Sequence, residues 1–183
     1  MSRRRHRSGP AGLRGLRGLP GATEGSAAVE FGMVALPFVL MMFAILEIGL
    51  VFVTDSVLEN ATIETGRLVR TGQASAQSMN AGTFKTALCA RMSIFAADCN
   101  SRATVDVRVI PQFATTPPDP MSTGAFNAGV LTYSNGAPGD LVLVRVWYRQ
   151  PLLTTFLAQG LSRLNDGTAM LTAATAFRNE PAG

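Results

Sequence analysis

The residues with most chemistry to offer stand where a charge has no ordinary reason to be. In EGSAAVEFGMVALP, residues 24–37, Glu30 follows Gly25 and Ser26 and precedes Phe31 in an otherwise small and apolar run. From Gly32 to Val53, 22 residues hold one further charge, Glu47, and that length lets a helix cross a hydrocarbon core of about 30 Å. A carboxylate at low dielectric is costly unless something offsets it. Glu30 at the membrane entrance can sit among head groups. Glu47, roughly 24 Å beyond Phe31 at about 1.5 Å per residue, can snorkel to the outer interface or pair with a partner subunit.

The remaining chemistry-bearing residues are few. Cys89 and Cys99 stand ten apart, and His6 is the one histidine. A standard four-ligand metal site cannot be made from that set, and no glycine-rich phosphate loop is present. Asp106, Asp119 and Asp140 fall on strands or loops with no evident acid–base partner. The sequence therefore predicts no enzyme, no cofactor and no metal.

The elements that must position these residues follow from composition. The chain has 183 residues, 47% hydrophobic and 15% charged, enough for one membrane segment and one modest domain. Of 16 Lys and Arg, six are arginines in residues 1–25 against one acid, which leaves 10 basic and 11 acidic residues beyond. The net charge of +4 thus belongs to the leader, and a nucleic-acid partner for the body loses its main support. Rich in Arg, Gly and Pro, the leader cannot bury enough surface to order itself. Basic residues beside a span are retained in the cytoplasm, so residues 55–183 are expected outside it. Orientation is then the use of RRRHR. The gap from Arg5 to Phe31 is too long for a twin-arginine signal, and the apolar run exceeds an ordinary secretory signal. In an oxidising compartment Cys89 and Cys99 are expected to form a disulfide, with the chain folding back between them.

Past the span, Val57, Leu58, Ala61, Leu68 and Val69 recur at helical spacing, so the helix should continue amphipathically, weakened by Gly66 and Gly72, with a Glu64–Arg67 pair on its outer surface. Thr83–Ala97 puts Phe84, Leu88, Met92 and Phe95 on one face of a short second helix that ends before Cys99. TVDVRVIP and LVLVRVWYR alternate as strands, GTAMLTAATAF suggests a third, and PLLTTFLAQGLSRL a short helix or membrane-facing turn. Between the first two strands, residues 112–140 read as a long surface loop rich in Pro, Gly, Ser and Asn. The fold class is α+β: a long N-terminal transmembrane helix continuing into an amphipathic segment, packed on a small antiparallel sheet of about three strands with one or two short helices. The expected parts are a leader, residues 1–25; the transmembrane helix, 26–54; an extension and linker, 55–82; and the head, 83–183.

Gly25, SAAV, Glu30, Phe31 and the apolar run resemble the processing site of type IV prepilins and pseudopilins. That resemblance implies a membrane prepilin peptidase cutting between Gly25 and Ser26, which leaves glutamate as the fifth mature residue. The new amine would lie about one helical turn from Glu30 and offset its charge within its own or a neighbouring subunit as helices pack. More narrowly, VEFGMVALPFVLMMFAILEIGLVF resembles the TadE-like pseudopilins of tight-adherence pilus systems, with Pro37, Glu47 and Gly49 in the family's places. NATIETGRLVRTG resembles its next segment through Ala61 and Arg67, although Thr62 and Thr65 replace more usual small apolar residues. At the C-terminus Arg178, Glu180 and Pro181 resemble its final strand, and the likeness is weakest over residues 73–140. Pro37 either bends the helix about two turns past Glu30 or is a tolerated membrane proline.

The resemblance implies a minor pseudopilin, the head being large for a major pilin. It would be non-enzymatic, anchored once in the bacterial inner membrane with its head in the periplasm, and available for incorporation into the pilus. Its expected partners are the prepilin peptidase, other pilus subunits and pseudopilins, the inner-membrane assembly platform and membrane lipid, with no nucleic acid. The competing reading is an uncleaved single-pass anchor whose periplasmic head scaffolds an envelope complex.

Overall fold

The computed structural model describes residues 23–114, 116–121, 125–162 and 166–181. The leader through residue 22, with its expected disorder and cytoplasmic placement, lies outside the described residues. Two compact units divide the chain, residues up to Leu40 and residues from Met41 onward. One helix, α1, covers Thr23–Arg70 and is continuous through Pro37. It is long and apolar enough to cross a membrane. Helix is the secondary structure that satisfies every backbone donor and acceptor of a single segment internally, which lipid demands.

In the second unit the C-terminal part of α1 becomes a core helix. Leu58, Ala61, Thr62, Thr65 and Val69 are buried, at the spacings of one helical face. Buried threonines need partners for their hydroxyls, and α1 supplies them itself: Thr62 Oγ1 donates to Leu58 O at 2.7 Å and Thr65 Oγ1 to Ala61 O at 2.7 Å. This is how threonine occupies places that small apolar residues would otherwise take. Gly66, read from sequence as a weakness, is where side chains of the sheet press close on the helix. A Cβ there would lie 3.1 Å from both Phe177 Cε1 and Thr175 Cγ2.

After α1 come α2 (Gln73–Ala76) and α3 (Ala81–Cys89). Asn80 caps α3 reciprocally with Thr83. Its Oδ1 accepts from Gly82 N–H at 2.9 Å and Thr83 N–H at 3.1 Å, and Thr83 Oγ1 accepts from Asn80 N–H at 2.9 Å, an arrangement worth about 1 kcal/mol. The single helix expected over 83–97 is instead two. Helix α3 stops at Cys89, a 3₁₀ turn covers Ser93–Phe95 with Ser93 at φ 52°, and α4 covers Ala96–Arg102 with Cys99 inside it. The reason is geometric. Ten residues of unbroken helix would hold the two cysteines about 15 Å apart, whereas they are disulfide-bonded with a Cα–Cα distance of 5.4 Å.

The sheet has three antiparallel strands in the order β1 (Ala103–Ile110), β2 (Leu141–Pro151), β3 (Thr168–Arg178). Helix α5 (Thr155–Leu161) lies between the last two. Val105, Val107, Val142, Val144, Val146, Tyr148 and Ala173 form the sheet's side of a core completed by Leu58, Ala61, Val69, Phe84, Leu88 and Met92. The expected small antiparallel sheet against the long helix is what forms.

The opposite face of β2 is covered too. Arg145 and Trp147 are buried there, and the cover is the 112–140 segment, which does more than cross the surface. Part of it pairs along β1: Val107 N–H donates to Thr132 O at 2.9 Å, and Ser134 N–H to Val107 O at 2.8 Å.

Candidate functional site: the apolar helix and its two glutamates

In the first unit, α1 presents bare side chains. Gly25, Ser26, Glu30, Phe31 and Pro37 are all exposed, Phe31 by 74%. A large apolar surface of this kind requires lipid or other helices around it. Ser26 Oγ donates to Glu30 Oε1 at 3.0 Å, the i, i+4 reach of one helical turn. Gly25 has no structural need to be glycine. A Cβ there would meet nothing within 4 Å, and its backbone is helical.

Glu47 belongs to the second unit and is treated differently. Among apolar neighbours that are mostly exposed, it is 9% exposed. Its carboxylate accepts from two backbone donors ahead of α5: Leu153 N–H to Oε1, and Thr154 N–H to Oε2 at 2.9 Å. These groups have no partner within a helix, so the side chain stands in for a cap, and an acid at a helix N-terminus also meets its positive dipole end. The sequence offered an interface or a partner subunit for Glu47, and the structure gives it an intrachain role.

The largest cluster of buried charge is one the sequence did not single out. Asp106 on β1 pairs with Arg145 on β2 in register and is fully buried. Arg108 donates through Nε to Oδ2 at 2.8 Å and through Nη2 to Oδ1 at 2.6 Å. Arg145 donates to Oδ2 through Nε at 3.0 Å and Nη2 at 2.8 Å. The same groups reach the long loop: Thr132 N–H donates to Asp106 Oδ1 at 2.9 Å, Arg108 Nη2 to Val130 O at 2.9 Å, and Arg145 Nη1 to Pro118 O at 3.0 Å. The Arg145 guanidinium also lies 4.8 Å from the Trp147 ring centroid. Burial pushes the Asp106 carboxyl up, but the bonds from Arg108, Thr132 and Arg145 outweigh it and hold it below the ordinary carboxylate value. A proton-transfer role would need a poised acid or base. Asp106 is instead a fixed anion clamping three segments. The signal was present in sequence as one acid and three arginines on two largely apolar strands, but the register joining residues 106 and 145 is not readable there.

At the far end of α1, the expected Glu64–Arg67 pair does not form among the described residues. Arg70 takes the role, with Nε 3.4 Å from Glu180 Oε1 and its carbonyl accepting Glu180 N–H at 2.9 Å. Beside it lies a cleft of about 520 Å³ lined by Thr71, Gly72, Ser75, Gly136, Asn179 and Glu180. Among the described residues no group of three or more His, Cys, Asp or Glu could hold a metal.

These features define a class: a chain with, among the described residues, one membrane-length apolar helix, bare at its N-terminal end, that continues into a small disulfide-bonded α+β head. Within that class, residues 25–67 match the family described as TadE-like protein. The match begins at Gly25 and takes in Glu30, Phe31, Pro37, Glu47 and Arg67. Comparison with curated proteins and with solved structures gave no match. The family points to a structural component of Tad pilus systems that associates with other pilus components.

Proposed function

We propose that this chain is a minor pseudopilin of tight-adherence pilus biogenesis. A prepilin peptidase cuts after Gly25, residues 26–54 anchor the product in the inner membrane, and the head, residues 83–183 joined through 55–82, lies in the periplasm. The observation that carries this reading is the coincidence of Gly25, Ser26, Glu30 and Phe31 with the start of the family match and with the bare end of α1. Glycine inside a helix is unfavourable by about 1 kcal/mol relative to alanine. Among the described residues nothing lies within 4 Å of a Cβ built at Gly25, which fits a requirement imposed by a peptidase. Ser26, whose amine the cut would release, already lies one turn from Glu30 with its hydroxyl bonded to that carboxylate. In a dry helix bundle this pairing would offset both charges, and the platform and neighbouring subunits would supply the surface that Phe31 and the apolar residues around it lack.

One observation favours the uncleaved anchor instead: α1 starts at Thr23 and runs unbroken through the proposed cut, whereas a peptidase acts on extended backbone. Gly25→Leu separates the two. The minor-pseudopilin reading expects the variant to accumulate at precursor mass while the wild type loses residues 1–25. Wild type recovered from membranes at full precursor mass would establish the anchor.

A further inference from the structure

We propose that the turn and helix formed by residues 151–162 are a second membrane element, seated in the outer leaflet beside α1, and that the groove between α1 and α5 holds a phospholipid acyl chain. The proposal rests on α1 spanning the membrane. It goes beyond that reading because it puts part of the head inside the bilayer.

Four observations converge. The run from Gln150 to Ser162 has no charged residue and is bounded by Arg149 and Arg163, the pattern of an apolar segment held at a membrane surface by basic flanks. The turn before α5 is fixed to Glu47 by two backbone donors. Glu47 precedes Asp55, the next charged residue of α1, by eight residues or about 12 Å, so a bilayer covering the apolar stretch through Val53 also covers the turn. At that turn Leu153 is 90% exposed, an arrangement unfavourable in water and ordinary in lipid. Finally, a groove of about 510 Å³ is lined by Ile48, Val51 and Phe52 of α1 and by Leu157, Gly160 and Leu161 of α5, with Gln159 its one polar side chain among the described residues. It continues the exposed apolar surface of α1 formed by Phe43, Leu46, Leu50 and Phe52. That continuity selects lipid as the occupant. Glu47 becomes intelligible on this view: a carboxylate within the apolar stretch is tolerable because it caps backbone donors that lipid could not satisfy.

The test uses the full chain reconstituted in phosphatidylethanolamine and phosphatidylglycerol vesicles. A photoreactive diazirine amino acid replaces, one at a time, Leu153, Leu161, Phe43 as the spanning control and Ile94 as the head control. Lipid adducts are then read by mass spectrometry. The expected result is adduct formation at Leu153 and Leu161 within about twofold of Phe43, and none at Ile94. Adducts at Phe43 but not at Leu153 and Leu161 would overturn the proposal while leaving the span intact. Crosslinks from Leu161 to a second copy of the chain would overturn the lipid assignment. Absence of adducts at Phe43 as well would remove both the span and the proposal. In Glu47→Ala, with the head's thermal transition retained, the Leu153 yield should drop to that of Ile94 while Phe43 is unchanged. An undiminished Leu153 yield would contradict the role given to Glu47.

Discussion

The apolar stretch of α1 and the core of helices and sheet treat the same kinds of side chain in opposite ways. In the first, Phe31 and Phe38 are bare on an isolated stretch of helix. In the second, Phe84 and Leu58 are fully buried, and even charged groups are enclosed and satisfied, as Asp106 is by Arg108, Arg145 and Thr132. The core is therefore satisfied within the chain, while the apolar stretch of α1 calls for lipid or other helices around it. Glu30 and Glu47 repeat the contrast. The carboxylate of Glu47 finds two backbone donors 106 and 107 residues away within the chain, and that of Glu30, among the described residues, meets the hydroxyl of Ser26 one turn away. The difference teaches where selection for assembly should be sought: in side chains the fold leaves unused.

This contrast can be broken most severely at Asp106. Its removal leaves two arginines on a buried face without their anion, a loss of about 3–5 kcal/mol for a broken buried pair. In Asp106→Ala the chemical unfolding of the head in detergent should shift accordingly, while the mass of the protein recovered from membranes matches that of wild type. The same carboxyl sets a pH dependence. Its folded value is lowered, so its contribution is complete above the unfolded value of about 3.9 and is lost as pH falls below it toward the folded value. Wild-type stability should decline on acidification below about pH 4, and more steeply than that of Asp106→Asn. A head as stable in Asp106→Ala as in wild type would mean that the cluster does not hold the 112–140 segment.

A smaller effect is expected at the disulfide. Replacing Cys89 and Cys99 by serine opens a short loop between α3 and α4, at a cost of about 2–4 kcal/mol by chain entropy. Unreduced, denatured protein should resist thiol alkylation, and ready alkylation of both residues would deny the bond. Smallest is Tyr148→Phe. The buried Tyr148 Oη has no hydrogen-bond partner among the described residues, so losing it should change stability by no more than about 0.5 kcal/mol or raise it slightly. A large loss would reveal a partner for that hydroxyl and a less self-contained core.

The parts legible in the sequence are those written in local periodicity. The apolar run and the stripe through Leu58, Ala61 and Val69 gave α1, and alternation around Val105–Val109 and Val142–Val146 gave β1 and β2. What stayed hidden depends on contacts between distant residues. The break between α3 and α4 follows from closing the Cys89–Cys99 bond, which a helical pattern over Phe84, Leu88 and Met92 masks. Asp106 reads as an outward residue on an alternating strand until the register with Arg145 places both beneath the loop. Glu47 bonds to backbone N–H groups, which leave no side-chain signature. The Arg70–Glu180 pair, formed where Glu64–Arg67 was expected to be the pair on this helix, arises because the end of β3 returns to the end of α1.

The central claim is that the exposed carboxylate of Glu30 serves assembly rather than folding, and Glu30→Gln tests it most directly. Expressed in cells lacking the native gene, the variant should be cut to wild-type mature mass and keep the head's wild-type unfolding transition. Its copurification with other pilus subunits should fall roughly a hundredfold, the lower end expected for stranding one member of a dry ion pair, and surface pili should be correspondingly few. Normal copurification and normal pili from a correctly cut Glu30→Gln protein would contradict the account and leave Glu30 as a residue among head groups.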